Sequence, residues 1–559
     1  MRFLLMSLLA FSSMGLVAQT VQIPLPEIRQ NGAVKQIFVD GKPFIMLAGE
    51  LHNSSASSIE YMKPIWSKLD SMNLNTVVST VNWELLEPEE GQFNYDLIDA
   101  QIQEAAKRNI RLVMIWFASW KNGDSQYAPL WVKTNPHRFP IQLRNRRAKF
   151  FGPGGELPAP LSPLGEATMV AEAKAYRALM KHIRETDPNH TVIMMQVDNE
   201  MGLMGDSRDR SPLAEAVWTQ PVPAELMNYL AKNKSTLLPE MQEVWGRNGY
   251  KKSGTWSEIF GTDEWAGEVF QAWCYSCFIN KVISEGKAEL NIPMYVNAWL
   301  GPQPGELVPG DWPSGGPVSR VTDIWRAGAP AADLFAPDIY VDDFKGVLAE
   351  YSRMGNPLWI PEARDLAGNL FWALGHHSAL GWSIFGIDDL KSNCQVGKAY
   401  GLLIEMIPQL TGWQAAEKVD GFLLLNGEEN QVITMGGYKL TISRPHRNGA
   451  SPAPDNGATA ATLMAGGISS ENRAGSGDTR PFGIVISIAQ DEFLFVGSNF
   501  NISFDVDSQK KSKVAIGSID EGAYYKGIWV PGRRLNGDES SASISGKSIG
   551  MLKIKVYQH

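Results

Sequence analysis

Cysteine is scarce: the 559 residues hold only Cys274, Cys277 and Cys394. That excludes a small scaffold stapled by disulfides. Cys274 and Cys277 form a CxxC inside "EVFQAWCYSCFINKVI", which reads as a helix, and no second pair of ligands accompanies it. The pair therefore reads as small core residues one turn apart rather than as a redox or zinc site. Positive charge is also in deficit, with 51 Lys and Arg against 60 Asp and Glu. A net charge of -9 argues against a nucleic-acid partner, which would want a basic face. Beyond residue 16 no apolar run approaches the roughly 20 residues a bilayer span requires, so no membrane anchor is expected. There is no glycine-rich phosphate loop and no zinc spacing, so neither cofactor nor metal is expected.

What is present is an ordinary globular composition, 44% hydrophobic and 20% charged, over a length that implies two or three domains. Eighteen Trp and fifteen Tyr supply large aromatic faces, which suit flat apolar partners such as sugar rings when they are not simply core. The first stretch, "MRFLLMSLLAFSSMGLVAQT", has basic Arg2, an apolar run from Phe3 to Leu16 and small Ala18. It reads as a signal peptide over residues 1–18, giving an exported protein, periplasmic or secreted.

From "KQIFVDGKPFIMLAGE", two strands around an Asp40-Gly41 turn, apolar strands alternate with amphipathic helical stretches. Strands are expected at 44–48, 74–83, 110–120, 191–200, 292–301, 334–340, 357–363 and 379–388. Eight β/α repeats over roughly 350 residues predict a TIM (β/α)8 barrel within residues 19–410, enlarged by a helical insertion at about 202–290. After Trp413, segments such as "FGIVISIAQDEFLFVGSNFNISFDV" alternate with Gly and Asn turns. They predict a C-terminal all-β sandwich over 411–559, with a long Gly-, Ala- and Ser-rich loop at 445–480.

Chemistry in such a barrel sits at the C-terminal ends of the strands. The fourth strand, "TVIMMQVDNE", ends in Asn199-Glu200, and the seventh, "PLWIPEAR", ends in Glu362. A carboxylate at the mouth of a buried strand is costly unless paired or used. Strands four and seven face each other across the mouth, so Glu200 and Glu362 can converge. Two carboxyls about 5 Å apart, one acid and one nucleophile, are the equipment of a retaining glycosidase, and an Asn beside one of them can donate to the sugar 2-hydroxyl. The other strand-end candidates for substrate binding are Glu50 and His52 on strand one, Asn82 and Trp83 on strand two, and Trp116 and Trp120 on strand three. Trp299 ends strand five, Tyr340 strand six and Trp382 strand eight. Tyr340 could hydrogen-bond the nucleophile.

On these residues the chain resembles a family. Asn-Glu on strand four with Glu on strand seven marks the large barrel clan of retaining glycoside hydrolases. "QVDNEMG" is similar to the strand-four motif of β-galactosidase families 35 and 42, and "NWELLEPEEGQFNYD" to their strand-two motif, with Glu87-Pro88, Gly91 and Phe93 in place. The resemblance covers about residues 35 to 400. It implies Glu200 as acid/base, Glu362 as nucleophile, and an oligo- or polysaccharide substrate with a terminal β-D-galactosyl residue. The tail around "GIWVPGRRLNGDE" resembles an uncharacterised all-β domain of bacterial β-galactosidase-like enzymes, for which an oligomer contact is one possible role. Where family 35 has a Glu between Ala and Trp on strand three, this chain has Ser119, and Thr80 stands at the strand-two Tyr. Both positions recognise galactose. Another glycoside such as an α-L-arabinopyranoside, or a non-catalytic sugar-binding barrel, therefore stays open.

Overall fold

The computed structural model describes residues 23–145, 159–445, 477–507, 512–546 and 548–559. The expected signal peptide and most of the expected 445–480 loop lie outside the described residues. The N-terminal strands β1 (Glu27–Asn31), β2 (Val34–Val39) and β3 (Lys42–Phe44) form an antiparallel sheet. Its β2–β3 turn places Asp40 at φ 52° and Gly41 at φ 72°, the left-handed pair that a tight two-residue hairpin needs. Ile37 and Val39 from this sheet, with Ile28 and Phe44 beside them, pack with Met46, Val78, Ile115 and Tyr295 in one apolar cluster. The hairpin thus closes the floor of the barrel.

The barrel strands are β4 (Met46–Glu50), β5 (Thr76–Asn82), β6 (Arg111–Lys121), β7 (Val192–Asn199), β8 (Met294–Trp299), β9 (Leu334–Asp338), β10 (Trp359–Ile360) and β11 (Gly381–Phe385). They hydrogen-bond in the order β10-β11-β4-β5-β6-β7-β8-β9, every described pairing being parallel. A parallel bridge between Ile339 and Ala363 joins the two ends. Asn356 completes the seam, its side chain both accepting from the Phe335 amide at 3.1 Å and donating to the Phe335 carbonyl at 2.8 Å. The result is the expected (β/α)8 barrel, with all eight strands where the alternation put them.

Side chains alternate across each strand. Ala48, Val78, Val113, Ile115 and Ala336 fill the interior, whereas Leu47, Val77, Leu112 and Met114 face the surrounding helices. Continuing the inward parity toward the strand ends brings Glu50, Asn82, Asn297 and Asp338 into the mouth. The insertion after β7 holds helices Pro212–Trp218, Ala224–Lys232, Pro239–Gly246 and Trp256–Phe260 before the long helix Glu264–Glu289. That last helix carries Cys274 and Cys277, both free thiols.

The helix Ile407–Ala415 runs through the expected division at 410–411, and the first strand of the β unit starts at Val419. Two antiparallel sheets follow. One has six strands, in the order 419–423, 482–489, 492–498, 550–558, 514–525, 528–535, and the other four, in the order 430–435, 438–443, 500–506, 543–544. Val485, Phe493, Phe495 and Ile554 from the first meet Leu440, Ile442 and Phe500 from the second, which makes the expected sandwich. The opposite face of the six-stranded sheet is apolar as well: Phe482, Ile484, Ile486, Leu494 and Val496 join the main core. Phe482 packs against Phe371 of the helix Ala367–His376, the rings tilted with 5.4 Å between centroids.

Candidate active site

The end of β7 is bent by its own backbone. Asp198 and Glu200 sit at φ 55° and 44°, left-handed values that are rare outside glycine and cost on the order of 1–3 kcal/mol each. The surroundings hold them there. Asp198 Oδ1 accepts from the Trp120 amide at 3.1 Å, and the Glu200 amide donates to Asn297 Oδ1 at 3.0 Å. Gly202 follows at φ 144°, where an added Cβ would lie 2.3 Å from the Pro313 backbone. These bends aim consecutive side chains at the mouth.

Asn199 is fully buried. Its Oδ1 accepts from Gln196 at 2.9 Å and from Asn297 at 3.0 Å, which fixes the amide so that Nδ2 points away from both. That Nδ2 has no partner. Glu200 Oε2 accepts from Asn122 Nδ2 at 2.5 Å. Burial, then the charge of Glu362, pushes the Glu200 carboxyl up to about 8, so it holds its proton at neutral pH. Glu362 accepts at Oε2 from the Tyr340 hydroxyl at 2.8 Å, while its Oε1 is buried without a partner. Tyr340 itself is pushed well up by burial and by the Glu362 charge, and so remains a hydrogen-bond donor.

Four carboxyls, Glu50, Glu200, Asp338 and Glu362, share this volume with the half-buried ammonium of Lys121. Burial, followed by the charge of Glu362, raises both Glu50 and Asp338 well above the ordinary carboxylate range. Burial works against the charge on Lys121, but Glu362, Glu200 and Glu50 more than offset it. Asn297 Nδ2 donates to Asp338 Oδ2 at 2.6 Å, so one Asn side chain ties together the ends of β7 and β9. Among the described residues no cluster of His, Cys, Asp and Glu has the arrangement to hold a metal ion.

Sequence reasoning placed the other candidates unevenly. Trp299 lies on the inward parity of β8, its indole N–H donating to Glu306 at 3.1 Å. Asn82 lies on that of β5, with Oδ1 buried and unpartnered. His52 stands at the rim, its Nδ1 2.8 Å from Asp388 and its ring edge-on to Phe385. Four tryptophans require correction, because they face outward into the helical layer. Trp116 packs on Trp83 and Tyr176 and donates to Glu172, and Trp83 donates to Glu87. Trp120 donates to the Leu161 carbonyl and packs on Tyr275 and Phe278. Trp382 packs on Phe344. The reason is parity. In register, Phe385 rather than Trp382 shares the inward face with Glu50.

Lys121, Asn122, Asn297, Asp338 and Phe385 were missed. Counting every second residue up from the inward Tyr295 and Ala336 would have found Asn297 and Asp338, whereas Lys121 lies past an irregularity in β6 between Trp116 and Lys121, where Ser119 turns outward to Glu172. Asn122 was not recoverable in that way. It reaches Glu200 because the loop turns at φ 52° and its amide donates to the Asn199 carbonyl at 3.1 Å.

Residues 56–273, which include β5 to β7 and Glu200, match the family model described as Beta-galactosidase. Residues 396–545 match a domain of unknown function, DUF5597. The β-galactosidase of Xanthomonas manihotis is 28% identical over 178 residues, 31% of this chain and 26% of that protein. The chain thus aligns with about a quarter of the length of that curated relative. Among solved structures, the β-galactosidase of Rahnella sp. R3 superposes with a TM-score of 0.42 at 14% identity, covering 69% of this chain and 58% of the other. That of Bacillus circulans sp. alkalophilus gives 0.43 at 11% identity, covering 91% and 99%.

Proposed function

We propose that the protein is an exported retaining exo-glycosidase that releases terminal β-D-galactosyl residues from oligo- or polysaccharides. The observation that carries the reading is the asymmetry of two carboxyls in one mouth. Glu200 holds a proton up to about pH 8, and Glu362 receives a hydrogen bond from Tyr340 while keeping one oxygen free. A carboxyl that holds its proton beside one that keeps an oxygen free is the division of labour between acid and nucleophile.

In this reading Glu362 Oε1 attacks the anomeric carbon as Glu200 gives its proton to the departing glycosidic oxygen. The bond to the aglycone breaks and a glycosyl ester forms on Glu362. Glu200, now a carboxylate, takes a proton from water, which opens the ester from the same face, so the configuration is retained. Asn199 Nδ2 is free to donate to the 2-hydroxyl, a contact that strengthens as positive charge develops at the anomeric carbon.

Galactose as the sugar is supported by the family match of residues 56–273 and by the Xanthomonas relative. Export is supported by the apolar run of residues 3–16 behind Arg2. No described helix is long and apolar enough to cross a membrane. A panel of 4-nitrophenyl glycosides tests the reading. The β-D-galactoside should turn over fastest, ahead of the α-L-arabinopyranoside and the β-D-glucoside. Proton NMR should show the β-anomer released before mutarotation. Absence of turnover on the whole panel, or first release of the α-anomer, would overturn it.

A further inference from the structure

Glu50 is the least satisfied ionisable residue in the mouth. It is 0% exposed, and neither carboxyl oxygen has a hydrogen-bond partner. A buried carboxyl left without any partner costs several kcal/mol, so the native state carries this group only if something fills its valences. Neighbouring protein groups do not. The Lys121 ammonium makes no hydrogen bond or close ion pair among the described residues, although it lies near enough to feel Glu50, Glu200 and Glu362. The Lys121 ammonium lies 5.1 Å from the Phe117 ring centroid, which supports it from below.

Strand order fixes what these two groups can reach. The anomeric carbon must sit between Glu200 at the end of β7 and Glu362 just beyond β10, on the arc that runs through β8 and β9. Glu50 ends β4, three strands from β7 on one side and two from β10 on the other, so it occupies the opposite wall. In a pyranose the ring atom opposite C1 is C4, and C3 lies beside it. A carboxyl group has two oxygens in one plane and can engage two adjacent hydroxyls, while an ammonium donates to the lone pairs those hydroxyls keep.

We propose that Glu50 and Lys121 form a clamp on the 3- and 4-hydroxyls of the terminal sugar, making the site specific for a non-reducing end with that diol free. The proposal rests on the glycosidase reading and adds to it the determinant of substrate class. A sugar substituted at O3 or O4 cannot deliver two donors to Glu50, so internal residues of a chain linked through those positions are refused. The carboxyl that the protein itself leaves without a partner is satisfied by the two hydroxyls of the correct sugar. That is how a polar pocket rejects an analogue lacking one hydroxyl by large factors.

The test is a double-mutant cycle in which one of the two changes is made in the substrate. Wild type, Glu50→Gln, Glu50→Ala and Lys121→Met are assayed on 4-nitrophenyl β-D-galactoside and its 3-deoxy, 4-deoxy and 6-deoxy analogues. Glu50→Ala should lower kcat/KM on the parent by about 10²- to 10³-fold. The same substitution should cost about 5- to 10-fold less on the 3-deoxy and 4-deoxy sugars, each of which has already lost one of the two hydroxyls that Glu50 engages, and its full factor on the 6-deoxy sugar. Lys121→Met should follow the same pattern with smaller losses. An equal loss on all four substrates, or no loss on the parent, overturns the clamp while leaving hydrolysis intact. Should the alanine variant fail to fold, Glu50→Gln and the wild-type deoxy series carry the test, and a wild type indifferent to the 3- and 4-hydroxyls overturns it. Failure of the glycosidase reading shows differently, as a wild type inert on every glycoside. In that case titration of wild type and Glu50→Gln with galactose and 4-deoxygalactose still reads the clamp.

Discussion

The Tyr340 hydroxyl lies 2.8 Å from Oε2 of Glu362, joining a side chain just past β9 to one just past β10. The two residues are 22 apart in sequence, and the Ile339 amide donates to the Glu362 carbonyl at 2.9 Å, so main chain and side chains are tied together. The contact holds one Glu362 oxygen and leaves the other toward the mouth. Tyr340→Phe removes the donor and leaves the ring. A hydrogen bond to a charged group contributes roughly 1.5–3 kcal/mol, so kcat on an aryl galactoside should fall by about 10- to 10²-fold with little change in melting temperature. Steady-state kinetics with thermal melts decide this, and an unchanged kcat would mean the hydroxyl is idle.

Glu200 must be protonated to serve as acid, and its carboxyl is pushed up to about 8 by burial and the Glu362 charge. Below that pH the proton is present, and above it the proton is lost. kcat/KM on a substrate with a poor leaving group should therefore fall through about pH 8. In Glu200→Gln that basic limb should vanish. A 2,4-dinitrophenyl galactoside, whose leaving group needs no proton, should keep its first-step rate within roughly tenfold while lactose hydrolysis drops by more than 10³-fold. Full activity of Glu200→Gln on lactose would move the acid elsewhere.

Glu362→Ala and Glu200→Ala should part company in azide. The first lacks the attacking group, so azide in the vacated space reacts from the nucleophile's side and gives the α-glycosyl azide. The second keeps its nucleophile, and azide opens the glycosyl ester to give the β-azide. NMR of the two products assigns the roles independently of rate. The same azide anomer from both variants would contradict the assignment.

Behind the site, on the outer side of the barrel, Glu172 accepts from Ser119 and from the Trp116 indole. Burial pushes its carboxyl from 4.5 up to about 7. The folded chain thus keeps a proton that the unfolded chain releases near 4.5. Stability from this group is intact below about pH 4.5 and is lost as pH rises through about 7. Glu172→Gln keeps the shape and abolishes the charge. It should melt within a degree or two of wild type at pH 5 and be more stable at pH 8, by up to about 3 kcal/mol. An identical difference at both pH values would show that the proton is not involved.

The barrel was legible because eight buried strands leave an apolar imprint that helical crossovers separate cleanly, as in "IRLVMIWFASW" and "TVIMMQVDNE". The ends of strands four and seven stood out because a carboxyl at the mouth of a buried strand is costly unless paired or used, and the fold brings Glu200 and Glu362 into one mouth. Aromatics at strand ends were not. Trp116 and Trp382 are as apolar as any pocket wall, and a one-residue parity shift decides which side of the sheet they face. Asn122 and Asp338 were illegible for a different reason. Their importance lies in reaching across from neighbouring strands to Glu200 and Asn297, a relation fixed by barrel closure and invisible in the local pattern.

The six-stranded sheet of the C-terminal unit carries apolar side chains on both of its faces. A sheet buried twice over has no wet side to show if its neighbour leaves. Cutting the chain between Ala415 and Val419 would uncover Phe482, Ile484 and Val496 on one fragment and Phe371 on the other. Neither fragment would be a soluble protein in its own right. Barrel and sandwich should instead melt together in one calorimetric transition.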